Sequence, residues 1–292
     1  VANPDVTVII PCYNERDAIA DTVRELHGSL SEVGDYELIV VDDGSRDGSR
    51  EILRDLAAGD DRLSVIEHGV NRGYGASLKS GVRAARGELL AITDADGTYP
   101  NERLPELLQM GREVDMVVGS RNGSNVQYSF LRKIPKFFLR RWCSFLAGKP
   151  IPDMNSGLRV FHRDDVKRFL SILPDGFSFT TTITLAMMTN GHEVRFVPID
   201  YKPRQGRSKI RPIRDTLNFC QLILRTATYF APLRVFLPVA LLLGLGFVGS
   251  AIYDVFFLRD LTEKTLILLM FSLNAGMFAL LADMIDKRGP GL

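Results

Sequence analysis

Paired cysteines are missing from this chain of 292 residues. Cys12, Cys143 and Cys220 are odd in number and scattered, with no C-x-x-C pair and no companion histidines at metal spacing. Neither a disulfide framework nor a zinc site is expected, and a reducing, cytosol-facing environment fits. Histidine is scarce too: His27, His68, His162 and His192 lie far apart, and none is assigned a catalytic role. No internal repeat or low-complexity segment occurs. The opening "VANPDVTVIIPCYNERDAIADTV" reads as strand, loop and helix rather than as a secretory signal.

Acidic residues are absent from one long stretch and nearly absent from another. Residues 121–141 carry Arg121, Arg132, Lys133, Lys136, Arg140 and Arg141 with no acid, and residues 201–234 carry eight Lys or Arg against Asp215 alone. The formal net charge is only +1, so the rest of the chain is strongly acidic in balance. Such segregation implies an anionic partner for the two basic segments.

What is present is an alternation of β-branched runs with amphipathic segments. "VTVIIPCYNE", "YELIVVDDGSRDGSREILRDLA", "LSVIEHGVNRGYGASLKSGVRAARG" and "ELLAITDAD" give four strands with helices between them, which implies a mostly parallel sheet covered on both faces. Ligands of such sheets collect at the carboxyl ends of the strands, where Tyr13, Asn14 and Glu15, then Asp42 and Asp43, then Asp94 and Asp96 all fall. In "LLAITDADGTYP" Asp94 and Asp96 share a face if extended backbone persists past the apolar run. Two such carboxylates suit a hard divalent cation, Mg²⁺ or Mn²⁺, whose other positions go to water and phosphate oxygens. A polar turn capping the next helix is the alternative at this point.

The last third changes character. Residues 235–253 and 265–282 are runs of 19 and 18 positions without a formal charge. At about 1.5 Å per residue each reaches roughly 27–28 Å, close to the ~30 Å hydrocarbon thickness. Two buried core helices are the alternative reading. Basic flanks on both sides place the catalytic part and both ends of the chain in the cytoplasm by the positive-inside bias. The expected organisation is a catalytic domain over 1–210, an interfacial helical segment over 211–231 and a two-helix transmembrane region over 232–292.

In order, "VIIPCYNE", "VVDDGS", "NRGYGASLKSG", "DAD", "VGSR", "DMNSGLRVF" and "RQGRSKI", followed by two hydrophobic spans, resemble the polyprenyl-phosphate glycosyltransferases of glycosyltransferase family 2, the dolichol-phosphate mannose synthase type among them. The resemblance implies a Rossmann-like GT-A fold, a nucleotide-sugar donor, Mg²⁺ or Mn²⁺, a polyprenyl phosphate acceptor at the membrane, and no nucleic acid. It places Pro11, Tyr13 and Glu15 around the nucleoside, Asp43 on the base, and Asp42 in a structural role. Asn71, Arg72 and Gly73 match a loop that closes over the nucleotide. Asp94, Ala95 and Asp96 match the metal and diphosphate motif, with Asp94 and Asp96 as ligands. Thr98 stands where these relatives often carry Gln, which puts a metal contact from that position in doubt. Arg121, Arg132 and Lys136 match positions facing the acceptor phosphate, with Asp153, Asn155 and Ser156 beside it and Asp153 orienting an arginine. Arg204, Ser208 and Lys209 reach the diphosphate or the lipid phosphate.

Asp94, Asp96 and Arg121 are therefore the expected catalytic residues. The expected reaction is inverting hexose transfer from GDP-mannose or a UDP-hexose to a dolichyl or undecaprenyl phosphate. Two other classes stay open: a processive polysaccharide synthase, which "RRW" at 140–142 fits only superficially because Phe138 stands where that signature has Gln, and a non-catalytic membrane protein that binds nucleotide sugars.

Overall fold

A computed structural model describes residues 3–121, 141, 143–145, 147–176, 178–202, 228 and 232–288, with side chains to 284. Its centre is a seven-stranded sheet in the order β3-β2-β1-β4-β6-β5-β7. The strands are β1 (Val6–Cys12), β2 (Tyr36–Asp42), β3 (Leu63–Glu67), β4 (Leu89–Ile92), β5 (Met116–Ser120), β6 (Arg159–His162) and β7 (Val194–Pro198). β1, β2 and β4 are rich in Val, Ile and Leu, as strands covered on both faces must be, and only Pro11 among their residues escapes full burial.

The sheet is not uniformly parallel. β6 runs antiparallel to both neighbours, pairing Ile92 with Arg159 on one side and Val118 with Arg159 on the other. This reversal brings the start of β6, and the loop 153–158 before it, to the edge where β4 and β5 end.

Helices α1 (Ile19–Leu30), α2 (Ser49–Ala58), α3 (Tyr74–Ala84), α4 (Leu104–Gly111), α5 (Arg163–Phe169) and α6 (Phe179–Thr189) cover the two faces. α1 shows how: Ile19, Val23, Leu26 and Leu30 recur at helical spacing and are all buried against the sheet. Each such side chain contributes about 1.5–3 kcal/mol by leaving water. α3 lies so close to β1 that a Cβ at Gly81 would overlap Ile9.

α7 (Pro232–Tyr253), a π-helical turn over Asp254–Leu258, and α8 (Glu263–Arg288) form an antiparallel hairpin. The spans Pro232–Leu258 and Glu263–Met284 have mean hydropathies of 2.3 and 2.0, and only 6% and 11% of their most apolar windows are buried. Neither helix is buried in the core of this chain: Leu242, Leu245, Phe256 and Phe278 are exposed, and both helices are long and apolar enough to cross a membrane. Ser272 Oγ donates to the Ala240 carbonyl at 3.0 Å between the helices. At the turn, Asp254 Oδ2 accepts from the Thr262 amide at 2.8 Å and from the hydroxyls of Thr262 and Thr265, both at 2.7 Å. The first turn of α7 joins the sheet domain, with Val235 packed against the buried cluster that includes Cys143, Ile151 and Met188 and the Arg234 guanidinium against Gly148. The interfacial helical segment expected over 211–231 lies outside the described residues except at position 228.

Candidate active site

Three loops at the carboxyl edge of β1, β2 and β3 interlock. The Asn14 amide donates to Ser45 Oγ at 2.9 Å, Glu15 N to Ser49 Oγ at 3.0 Å, and Arg46 N returns to Asn14 Oδ1 at 2.8 Å. Gly44, at φ +77°, leaves no room for a side chain, since a Cβ there would stand 2.7 Å from the Val70 backbone carbon. Pro11, Tyr13 and Glu15 are half-buried along this edge. Cys12 is buried among them, and burial, then the Asp42 carboxylate, pushes its thiol up to about 12, so it is no thiolate nucleophile.

The two carboxylates of "VVDDGS" are both consumed inside the chain. Asp42 meets Arg50 Nη2 at 2.6 Å and accepts from the Ser45 amide. Asp43 Oδ1 accepts from the Arg72 amide at 2.9 Å and lies 2.7 Å from His68 Nδ1, and its Oδ2 accepts from the Gly73 amide at 2.8 Å. Asp43, expected on the base, is thus a buried staple of the 70–73 loop. His68, given no role by the sequence, spans Asp43 and Ser80, with Nε2 2.9 Å from Ser80 Oγ.

The pair Asp94 and Asp96 does not arise by strand alternation. β4 ends at Ile92 and the backbone turns through Ala95 and Asp96 to Gly97 at φ +67°. Both carboxylates are half-buried and Ala95 between them is buried. Asp96 Oδ1 accepts from Thr98 Oγ1 at 2.6 Å and from the Thr98 amide at 3.2 Å, so Thr98 supports the aspartate. Tyr74 donates its hydroxyl to Asp94 Oδ1 at 3.0 Å, and the Gly157 backbone lies so near that a Cβ there would stand 2.8 Å from the same oxygen. Burial, then the Asp94 charge, raises the Tyr74 phenol well above its usual range. Two held oxygen-donor carboxylates at a strand end fit a hard divalent cation. Among the described residues, Asp115, Asp165 and His192 form a further acidic group, but they sit at the opposite edge of the sheet.

Across the cleft, Arg121 follows β5 and makes a two-pronged pair with Asp153, Nε to Oδ2 at 2.8 Å and Nη2 to Oδ1 at 2.9 Å. Its guanidinium lies over the Tyr201 ring, which stands edge-on to Tyr99. Burial raises the Asp153 pKa, but hydrogen bonds and charge from Arg121 outweigh it, with the amides of Arg121 and Asn155 adding to them, and the net shift is downward. A carboxylate depressed in the folded state contributes stability above its unfolded pKa that is lost as pH falls through the folded value. Asp153→Asn is therefore expected to cost about 1–2 kcal/mol near neutrality. The gap to wild type should narrow as pH drops below the ordinary 3.8. Unfolding midpoints of both proteins in detergent across a pH series check this, and parallel curves would refute it.

Asn155 is exposed and takes a hydrogen bond from Thr181 at 2.8 Å, whereas Ser156 is fully buried. The structure thus separates the two, with Asn155 on the surface and Ser156 inside. Behind the same loop lies Arg159, another residue the sequence left without a role. Wholly buried, it donates Nε to the Ser156 carbonyl at 2.7 Å, Nη2 to the Met154 carbonyl at 2.9 Å and Nη1 to Thr184 Oγ1 at 2.7 Å. Burial lowers its pKa to about 10, which leaves it charged at neutral pH. Arg132, Lys136, Arg204, Ser208 and Lys209 lie outside the described residues.

Residues 7–170 match the family profile of Glycosyl transferase family 2. The chain belongs to glycosyltransferase family 2. A second profile, the GtrB C-terminal hairpin, matches residues 231–287 and thus the α7–α8 hairpin. Among relatives of this family 2 member, the low-salt glycan biosynthesis hexosyltransferase Agl6 of Haloferax volcanii is 28% identical over 77% of this chain and 54% of its own. The polyprenol monophosphomannose synthase of Mycolicibacterium smegmatis is 32% identical over 70% of this chain and 80% of its own. The chain thus spans about half the length of the first relative and most of the second. Glucosyl-3-phosphoglycerate synthase of Mycobacterium tuberculosis, solved with Mn²⁺, UDP and phosphoglyceric acid, superposes with a TM-score of 0.59 at 18% identity, covering 77% of this chain and 78% of that one. At that identity it establishes a shared GT-A fold.

Proposed function

We propose that this family 2 chain transfers one hexose, with inversion, from a nucleotide diphospho-sugar to a polyprenyl phosphate at the cytoplasmic face of the membrane. The observation that carries the reading is the cleft itself: Asp94 and Asp96 at the end of β4 beside the Arg121–Asp153 pair at the end of β5, in a chain ending in an exposed apolar hairpin. The names of the relatives support it, since one is a hexosyltransferase and another a polyprenol monophosphomannose synthase.

A lipid monophosphate, with a second pKa of about 6, is already largely ionised at neutral pH, so no general base is needed. One of its oxygens forms the bond to the anomeric carbon while the bond from that carbon to the diphosphate breaks, and the nucleoside diphosphate leaves with the electron pair. Asp94 and Asp96 would hold Mg²⁺ or Mn²⁺, which when bound supplies Lewis-acid neutralisation of the departing diphosphate. Arg121, held in plane by Asp153, orients the acceptor phosphate as a fixed donor whose charge is already partly offset. The loops around Pro11, Tyr13, Glu15 and 70–73 enclose the nucleoside, with Asp43 shaping that pocket through the loop. Arg132, Lys136, Arg204 and Lys209, with the neutral hydroxyl of Ser208, are the further residues that would serve the two phosphate groups; all five lie outside the described residues.

The full chain in liposomes, offered radiolabelled GDP-mannose, UDP-glucose or UDP-N-acetylglucosamine with undecaprenyl or dolichyl phosphate, tests this. One donor is expected to label a single lipid-linked sugar, and chelation of the metal to stop the labelling. Long polymer would instead identify a processive synthase, and donor binding without transfer to either lipid a non-catalytic binder.

A further inference from the structure

The Tyr74 hydroxyl touches the proposed cation site from an element that otherwise belongs to the nucleotide side of the cleft. It donates to Asp94 Oδ1 at 3.0 Å from the first residue of α3. The backbone on both sides of Tyr74 is anchored. Before it, the Gly73 amide donates to the buried Asp43 at 2.8 Å, and Gly73 itself stands at φ +102°. After it, Gly75 packs so tightly against the 174–176 backbone that a Cβ would overlap the Pro174 carbonyl, and the Ala76 amide donates to the Asp175 carbonyl at 3.0 Å. Lys79, one turn further on, holds the Asp175 carboxylate at 2.7 Å. A phenol on so firmly seated a backbone is a fixed point.

Asp94 needs one. It lies beyond the end of β4, just before a turn, so strand pairing does not orient its side chain. Its carboxylate packs against Gly157, where a Cβ would stand 2.8 Å from Oδ1, and the Gly157 amide donates to Tyr99 OH at 2.6 Å. Tyr74 adds a directional hydrogen bond to the same oxygen.

Resting on the reading of Asp94 and Asp96 as cation ligands, we propose that Tyr74 is a positioning residue that orients the Asp94 carboxylate for the metal. It thereby ties the 70–73 loop to the cation site. A hydrogen bond to one carboxylate oxygen selects the rotamer in which the group can face a cation, and it removes the entropy that binding would otherwise have to cost. Asp43 acts at one remove, by holding the loop from which Tyr74 projects.

Tyr74→Phe removes the hydroxyl and keeps the ring. Loss of the free Mn²⁺ EPR signal on titration with the full chain in detergent, in the presence of UDP or GDP, reports metal affinity directly. Tyr74→Phe is expected to weaken Mn²⁺ by about 10-fold or more. Its metal-free unfolding midpoint should stay within about 3 °C of wild type, and its metal-free nucleotide affinity should not change. Wild-type Mn²⁺ affinity in the variant overturns the assignment of Tyr74 alone, and a lowered midpoint with unchanged Mn²⁺ affinity does the same by making it a packing residue. A wild-type chain that leaves Mn²⁺ unbound with either nucleotide overturns the cation reading of Asp94 and Asp96, and Tyr74 with it.

Discussion

Asp94→Asn is expected to lower sugar transfer by about 100- to 1000-fold, the range typical when one preorganised electrostatic contact with developing charge is lost. The substitution is nearly isosteric and keeps an oxygen that can accept from Tyr74, so the turn after β4 should fold as before. What disappears is one of the two negative charges proposed to hold the cation against the diphosphate. Asp96→Asn should behave alike, because Thr98 can still donate to the amide oxygen while the charge is gone. Initial rates of lipid labelling across a Mn²⁺ series check both variants. Near-normal turnover at saturating Mn²⁺ in either one removes that residue from the ligand set.

Arg159→Met is expected to cost about 100-fold in turnover although Arg159 touches no proposed substrate. Two opposing energies decide what the variant does. Removing the guanidinium leaves the Met154 and Ser156 carbonyls without their donors, at about 1–3 kcal/mol each. Against that, the protein no longer buries a guanidinium whose hydrogen-bond acceptors are all neutral and whose charge is offset through space by Asp153, which is a partial relief. Global stability therefore falls by only about 1–3 kcal/mol. The loop is affected more, since nothing else described holds both carbonyls from below. Asp153 and Gly157 sit on either side of them, so the partner of Arg121 and the wall beside Asp94 shift together. A misplacement of about 1 Å in a reacting constellation is enough for a 100-fold loss. Arg159→Lys keeps the charge but has no planar fork to serve three acceptors, and should fall between. Nucleotide affinity should hold in both variants, because the 13–16, 43–49 and 70–73 loops lie on the other half of the sheet. Turnover of Arg159→Met within twofold of wild type would show that the 153–157 loop keeps its place without that side chain.

His68 and Arg159 show why part of the site was invisible in the chain. His68 is one of four scattered histidines, and its partners Asp43 and Ser80 lie 25 and 12 residues away on different elements. Arg159 stands in an apolar run, where a charged residue signals burial of some kind but not which carbonyls it serves. Asp43 carried a motif, but its contacts with His68 and with the amides of Arg72 and Gly73 could not be read from the chain, because they come from a loop some 25–30 residues further on. Asp94 and Asp96 were found for a partly wrong reason: the strand stops two residues before Asp94, and a turn rather than alternation presents the pair.

Sequence alone determined the β/α alternation, the strand-end position of the acidic motifs and the apolar hairpin, because each is a local pattern of side-chain polarity at a period of two, at a helical period, or over a span's length. Only the tertiary structure decided that β6 would enter the sheet reversed between β4 and β5. That one inversion carries Asp153 to Arg121 and Gly157 to Asp94, and no local pattern could announce it. A four-residue strand such as Arg159–His162 has the same composition in either direction, and its direction is settled by which neighbours leave a gap in the sheet and by what Arg159 can reach once inside.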